Sequence, residues 1–115
     1  MSIGLHIETE SVGKKVILRI DGRIDAASSA VLEKKIQQLI EEHQTCLLLD
    51  FTDVDYLSSA GMRVLLSSLK KLKVLKGTFA IFSVNEDVSE IIHLAGFDKI
   101  LSIFPDEKDA LEYGC

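Results

Sequence analysis

The stretch 46-CLLLDFTDVDYLSSAGMRVLL-66 reads as a strand, a turn and the opening of a helix, and that order decides the fold class. "CLLLDF", Cys46 to Phe51, is apolar on both faces, the pattern of a strand covered from two sides. A seven-residue connection, Thr52 to Ser58, leads to Ser59. From about Ser59 to Lys76 the period becomes helical, with Met62, Leu65, Leu69 and Leu72 as the inward stripe. Lys70, Lys71, Lys73 and Lys76 gather at its C-terminal end, where the helix dipole favours cations, and Gly77 is the expected stop.

The same reading extends in both directions. Upstream, "KKVILRIDG" alternates, with Val16, Leu18 and Ile20 against Lys15 and Arg19, as a strand ended by Gly22 does. "SIGLHIETE" alternates too, Ile3, Leu5 and Ile7 against His6 and Glu8, and the short link with Gly13 suits a hairpin. Asp25 opens a helix with Leu32, Ile36, Leu39 and Ile40 at helical spacing and an Asp or Ser cap. Downstream come a strand in "TFAIFS" and a short helix in "NEDVSEIIHLAG", with Val88, Ile91, Ile92 and Ala95 inward and Gly96 as its stop. A strand in "KILSIF" and a helix opened by Pro105 in "PDEKDALEY" complete the chain. The order is β-β-α-β-α-β-α-β-α. It predicts one α/β domain over residues 1–115, with a mainly parallel sheet, right-handed crossovers, an antiparallel N-terminal strand and about four helices.

Composition narrows the function. The 115 residues are 47% hydrophobic with one proline and no tryptophan, as in a regular globular domain. A net charge of -5 leaves no basic surplus to neutralise phosphates, which argues against a nucleic-acid partner. Cys46 sits in an apolar run and reads as a buried thiol, Cys115 as a mobile terminal residue, so a disulfide between them is not expected. His6, His43 and His93 are scattered, no metal-ligand spacing exists, and no metal or cofactor is expected. The N-terminus has no basic segment before an apolar core, and no run approaches the roughly 20 apolar residues of a membrane span. The expectation is a cytoplasmic protein, with no membrane partner.

What remains is "SSAG" at a strand-to-helix turn, on the functional edge of an α/β sheet. One serine as a helix cap, worth about 0.5–2 kcal/mol, accounts for one hydroxyl and leaves "SAGMR" unexplained. A nucleophile is disfavoured, because "LSSAG" lacks the G-x-S-x-G elbow and no histidine is placed to complement it. The phosphate-cradling G-x-x-x-x-G-K-[ST] string is absent. Asp50, Asp53 and Asp55 lie near a strand end, but the chain lacks the acidic pair after a first β-α unit that response regulators carry. They read as solvated loop acids. Covalent modification is the third option. A phosphate at a helix N-terminus meets free N–H groups and the positive dipole end, so the fold tolerates it while a docked partner would not.

"VDYLSSAGMRVLL", with "LRIDGRIDAASSAVLEKKI" before it and "HLAGFDKILSIF" after it, resembles the anti-sigma factor antagonists, which share the STAS domain. The resemblance spans almost the whole chain. It implies that Ser59, two positions before Gly61, is the phosphoacceptor, and that Asp25 is the acidic residue near the phosphorylated loop. Ser58 stands where one common form of the motif has Asp, and Ala60 where that form has a second Ser or Thr, so Ser58 competes as a site or serves as the cap. The resemblance further implies a docking surface flanked by Asp25, Ser58, Gly61, Met62 and Arg63. The implied partners are an anti-sigma factor that is also a serine kinase, and a serine phosphatase that resets the modified form. The chain would catalyse nothing and act as a monomer. The competing expectation is a STAS module of another assembly, such as a large signalling complex, a transporter or a two-component partner; the bare single-domain length favours a free switch.

Overall fold

The computed structural model describes residues 4–115, so Ile3 of the first expected strand lies outside the described residues. Its strands are β1 (Leu5–Val12), β2 (Lys15–Ile24), β3 (Cys46–Leu57), β4 (Thr78–Phe82) and β5 (Ser102–Phe104). Its helices are α1 (Ser29–Glu41), α2 (Ser59–Val74), α3 (Glu86–Leu94) and α4 (Glu107–Leu111), with a 3-10 turn at Phe97–Lys99. The strands lie side by side in chain order, β1 antiparallel to β2 and every later pair parallel. This is the expected α/β architecture.

Apolar residues on both sides of the central strands divide the interior into two layers. Val16, Leu18 and Ile20 of β2 and Leu47, Leu49 and Phe51 of β3 face Leu32, Ile36, Leu65, Leu72, Val88 and Ile92 of the first three helices. Ile17, Leu48, Ala80 and Phe82 face the other way, where Ala110 of α4 closes on them with Val12, Phe104 and Leu111 at the margin. The helical stripes fall largely where their period puts them, although Ala95 is exposed and Leu69, Ile40 and Ile91 are only half-buried.

Three expectations change. β3 does not end at Phe51 but runs on to Leu57, and β2 passes through Gly22 to Ile24. Register shifts between the two strands let β3 continue while burying Phe51, Val54 and Leu57 at every third position. That spacing is foreign to a regular strand, which is why the segment resembles a loop in sequence. Asp50 is therefore no solvated loop acid. It is a strand residue paired with Arg19 at 2.9 Å, while Asp53 and Asp55 are exposed on the strand.

The third change concerns the cysteines, which form a disulfide with Cα atoms 6.4 Å apart across a separation of 69 residues. The tail is not free. Lys15 Nζ donates to the carbonyls of Leu111 at 2.6 Å and Cys115 at 3.2 Å. The Tyr113 ring lies 5.0 Å from that of Phe104, and the Ser102 hydroxyl donates to Tyr113 at 3.1 Å. Closing a loop of this length restricts the unfolded chain by about 4 kcal/mol in the entropic treatment.

Candidate phosphorylation edge

The candidate residues converge where β2 and β3 end together. Ile24 stands opposite Leu57, and the Ser58 N–H donates to the Ile24 carbonyl at 2.8 Å. The segment after β2, beginning with Asp25, and the start of α2 thereby share one edge of the sheet. Each end is then finished by its own local chemistry.

On the β2 side, Asp25 and Ser28 bond reciprocally. The Ser28 N–H donates to Asp25 Oδ1 and the Asp25 N–H donates to Ser28 Oγ, each at 2.9 Å. The Ser28 hydroxyl, fully buried, donates in turn to the Arg23 carbonyl at 2.6 Å. Asp25 thus closes the turn ahead of α1, which begins four residues later than Asp25 itself, at Ser29. Donation from the Ser28 N–H holds the Asp25 carboxyl below the usual carboxylate range despite a smaller opposing effect of burial. Asp25 is therefore charged at neutral pH.

On the β3 side the two serines separate. Ser58 is extended, with φ -84° and ψ 169°, and its side chain accepts from the Gly61 N–H at 3.0 Å. It is the helix cap. Ser59 is the first helical residue, exposed and not used by that cap. Arg63, one turn further on, is exposed as well.

Gly61 and Met62 do not share that surface. Met62 is 7% exposed and belongs to the helix-side core. A Cβ on Gly61 would lie 2.6 Å from Ile24 Cγ2 and 2.8 Å from Leu57 Cδ1. The glycine lets α2 seat directly on the paired strand ends, which fixes the height at which Ser59 emerges.

Several supports escaped sequence reading. The Arg23 guanidinium lies over the Tyr56 ring, 4.4 Å from its centre, at a position where the two residues are register partners. Asn85 caps α3 by accepting from the Val88 N–H and also donates to the Val54 carbonyl, both at 2.8 Å, bracing the irregular part of β3. Arg19 reaches Glu10, Asp50 and Glu107 together. A cap signal before α3 was legible in "NEDV"; the long-range donation to Val54 had no local signature. Among the described residues no group of three or more His, Cys, Asp or Glu side chains is arranged to hold a metal. Among the same residues, no helix is long and apolar enough to cross a membrane.

The β-β-α opening and the mixed five-stranded sheet with its helices match the fold of solved STAS-type domains. The profile of that domain family matches residues 6–110, and the chain belongs to the STAS domain family, among its anti-sigma factor antagonists. It is 34% identical over 97 residues to the anti-sigma-F factor antagonist RsfB of Mycobacterium tuberculosis, covering 83% of this chain and 77% of that protein. It is 27% identical over 111 residues to an anti-sigma F factor antagonist of Paenibacillus polymyxa, covering 95% and 94% of the two chains. The crystal structure of an anti-sigma factor antagonist from Mycobacterium paratuberculosis matches it with a TM-score of 0.85 at 25% identity. That match covers 94% of this chain and 92% of that one.

Proposed function

We propose that this chain is a phosphorylation-switched anti-sigma factor antagonist with Ser59 as the phosphoacceptor. The unmodified form binds an anti-sigma factor that is also a serine kinase and so frees the sigma factor. Phosphoryl transfer from ATP to Ser59 Oγ ends the binding, and a serine phosphatase restores the hydroxyl. The chain is substrate and ligand in this cycle rather than catalyst, and it works in the cytoplasm. Asp25, Ser58 and Arg63 border the docking surface, while Gly61 and Met62 hold it from beneath.

The observation that carries this reading is the division of labour between the serines. Ser58 is consumed by the cap, so the exposed Ser59 hydroxyl at the helix start is left for chemistry. A phosphate there adds roughly -1.5 to -2 charges next to free helix N–H groups, which the isolated domain accommodates. In a complex the same group must be desolvated on an edge that already carries the Asp25 charge. A flip of occupancy from 99:1 to 1:99 needs about 5.5 kcal/mol of differential affinity. One buried and unpaired dianion is of that order.

The test is to incubate the chain with its anti-sigma kinase and ATP and to map the modified residue by mass spectrometry. Phosphate on Ser59 is expected; phosphate on Ser58 alone, or none, contradicts the assignment. Ser59→Asp should weaken kinase binding while keeping stability within about 1 kcal/mol, and unfolding instead would make Ser59 structural.

A further inference from the structure

α4 spans five residues, well below the length at which a helix is stable on its own in water. Yet Ala110, with Leu111 beside it, closes the apolar face formed by Ile17, Leu48, Ala80 and Phe82. The segment that follows is shaped to reach one sulfur. Cys46 and Thr78 are register partners at the starts of β3 and β4. Gly114 takes φ 74°, and a Cβ there would lie 2.3 Å from Thr78 Oγ1, so the backbone crosses Thr78 at a distance and in a conformation that suit glycine alone. That crossing delivers Cys115 to Cys46 with Cα atoms 6.4 Å apart, inside the span of a disulfide.

We propose that Cys46 and Cys115 form a reversible redox latch on α4, closed by low-molecular-weight disulfides and opened by thiols. Cys115 is exposed and Cys46 buried, which sets the order of events. The Cys115 thiolate attacks an external disulfide RSSR, forming Cys115–S–SR and releasing one thiol. The Cys46 thiolate then attacks the Cys115 sulfur and expels the second RS group, which takes up the proton Cys46 gave up. The two protein thiols are oxidised and one external disulfide is reduced to two thiols. Reduction reverses the sequence. With the latch open, α4 rests on its apolar contacts and the Lys15 hydrogen bonds, and it lifts from the sheet more often. The latch lies at the amino ends of β3 and β4, whereas Ser59 follows the far end of the 12-residue β3, so the proposal does not depend on the phosphorylation reading.

The test uses the full chain, reduced, freed of reductant and treated with oxidised glutathione. The expected product is a monomer lighter by two hydrogens with no titratable thiol. Its amides over residues 107–115 should exchange about tenfold more slowly than in the reduced chain. Its Tm should be higher by about 5 °C or more, a difference that Cys115→Ser abolishes. Three results would overturn the proposal: glutathione retained on Cys115, a disulfide-linked dimer, or an internal disulfide with unchanged exchange over residues 107–115.

Discussion

The two faces of the sheet are built to different standards. The helix side is closed by α1, α2 and α3 with a continuous core that runs from Val16 to Leu101. The opposite side is closed by one short helix over a small cluster, extended by the ion pairs of Arg19 and fastened by the Cys46–Cys115 bond. The candidate edge is borne by the well-braced side, since α2 seats on Ile24 and Leu57 through Gly61. A rigid mount suits the proposed switch, in which only the charge on Ser59 changes. The lightly covered side is where the molecule tolerates opening.

Substitutions should reproduce this contrast. The largest effect is expected at Gly61→Ala, whose methyl group meets Ile24 and Leu57 inside the braced side. Urea denaturation should show a loss of about 2 kcal/mol. A loss below about 0.5 kcal/mol would mean that α2 does not need this close seating.

Arg19→Met probes the other face and should cost somewhat less, about 1–2 kcal/mol, because Asp50 loses its cation. Burial pushes the Asp50 carboxyl up, but the Thr52 hydroxyl and N–H, with Arg19, outweigh burial and hold it below its ordinary value of 3.8. A carboxyl depressed by folding stabilises above that ordinary value, and the contribution is lost as pH falls through the folded pKa. Removing Arg19 raises the folded pKa, so acid unfolding of the variant should begin at higher pH than in the parent. An unshifted acid limb would remove the Arg19–Asp50 pair from the stability of this face.

A smaller and more specific contrast lies within the edge itself. Ser58→Ala should cost about 1 kcal/mol through loss of the cap, whereas Ser59→Ala should stay within about 0.5 kcal/mol. The reverse order would exchange the roles of the two serines.

The smallest effect is electrostatic and far from the edge. His93 Nδ1 lies 2.7 Å from Asp98 Oδ2, and that hydrogen bond, with the Asp98 charge, raises the imidazole above its ordinary 6.5. A pKa raised by folding gives stability that is present below 6.5 and fades as pH rises through the folded value. Proton NMR should find His93 titrating above 6.5, and Asp98→Asn should bring it back down. An unchanged titration in that variant would leave the pair without effect.

The sequence announced most of this architecture wherever pattern and structure share a period. "CLLLDF" declared a doubly covered strand, and Leu32, Ile36, Leu65 and Leu72 declared the inward faces of their helices. It concealed the rest of β3, because register shifts space Phe51, Val54 and Leu57 three apart. The Cys46–Cys115 bond was hidden for a related reason. A residue at the end of the chain reads as free, and the donation from Lys15 Nζ to its carbonyl, across 100 residues, has no local signature. At the candidate edge, residue type located the turn, and the resemblance to anti-sigma factor antagonists chose between its serines. The hydrogen bond from the Gly61 N–H to Ser58 Oγ supplies a physical reason for that choice. Met62 shows the two readings apart: the helical period put it on the inward stripe, where it is buried, while the resemblance set it beside the docking surface.

The decisive measurement is a calorimetric titration of the anti-sigma kinase with the chain in two forms, unmodified and stoichiometrically phosphorylated on Ser59. The expected result is a rise in Kd on the order of 10⁴-fold upon phosphorylation, with the Tm of the free chain nearly unchanged. Equal affinity for the two forms would contradict the switch, however firmly each of them binds.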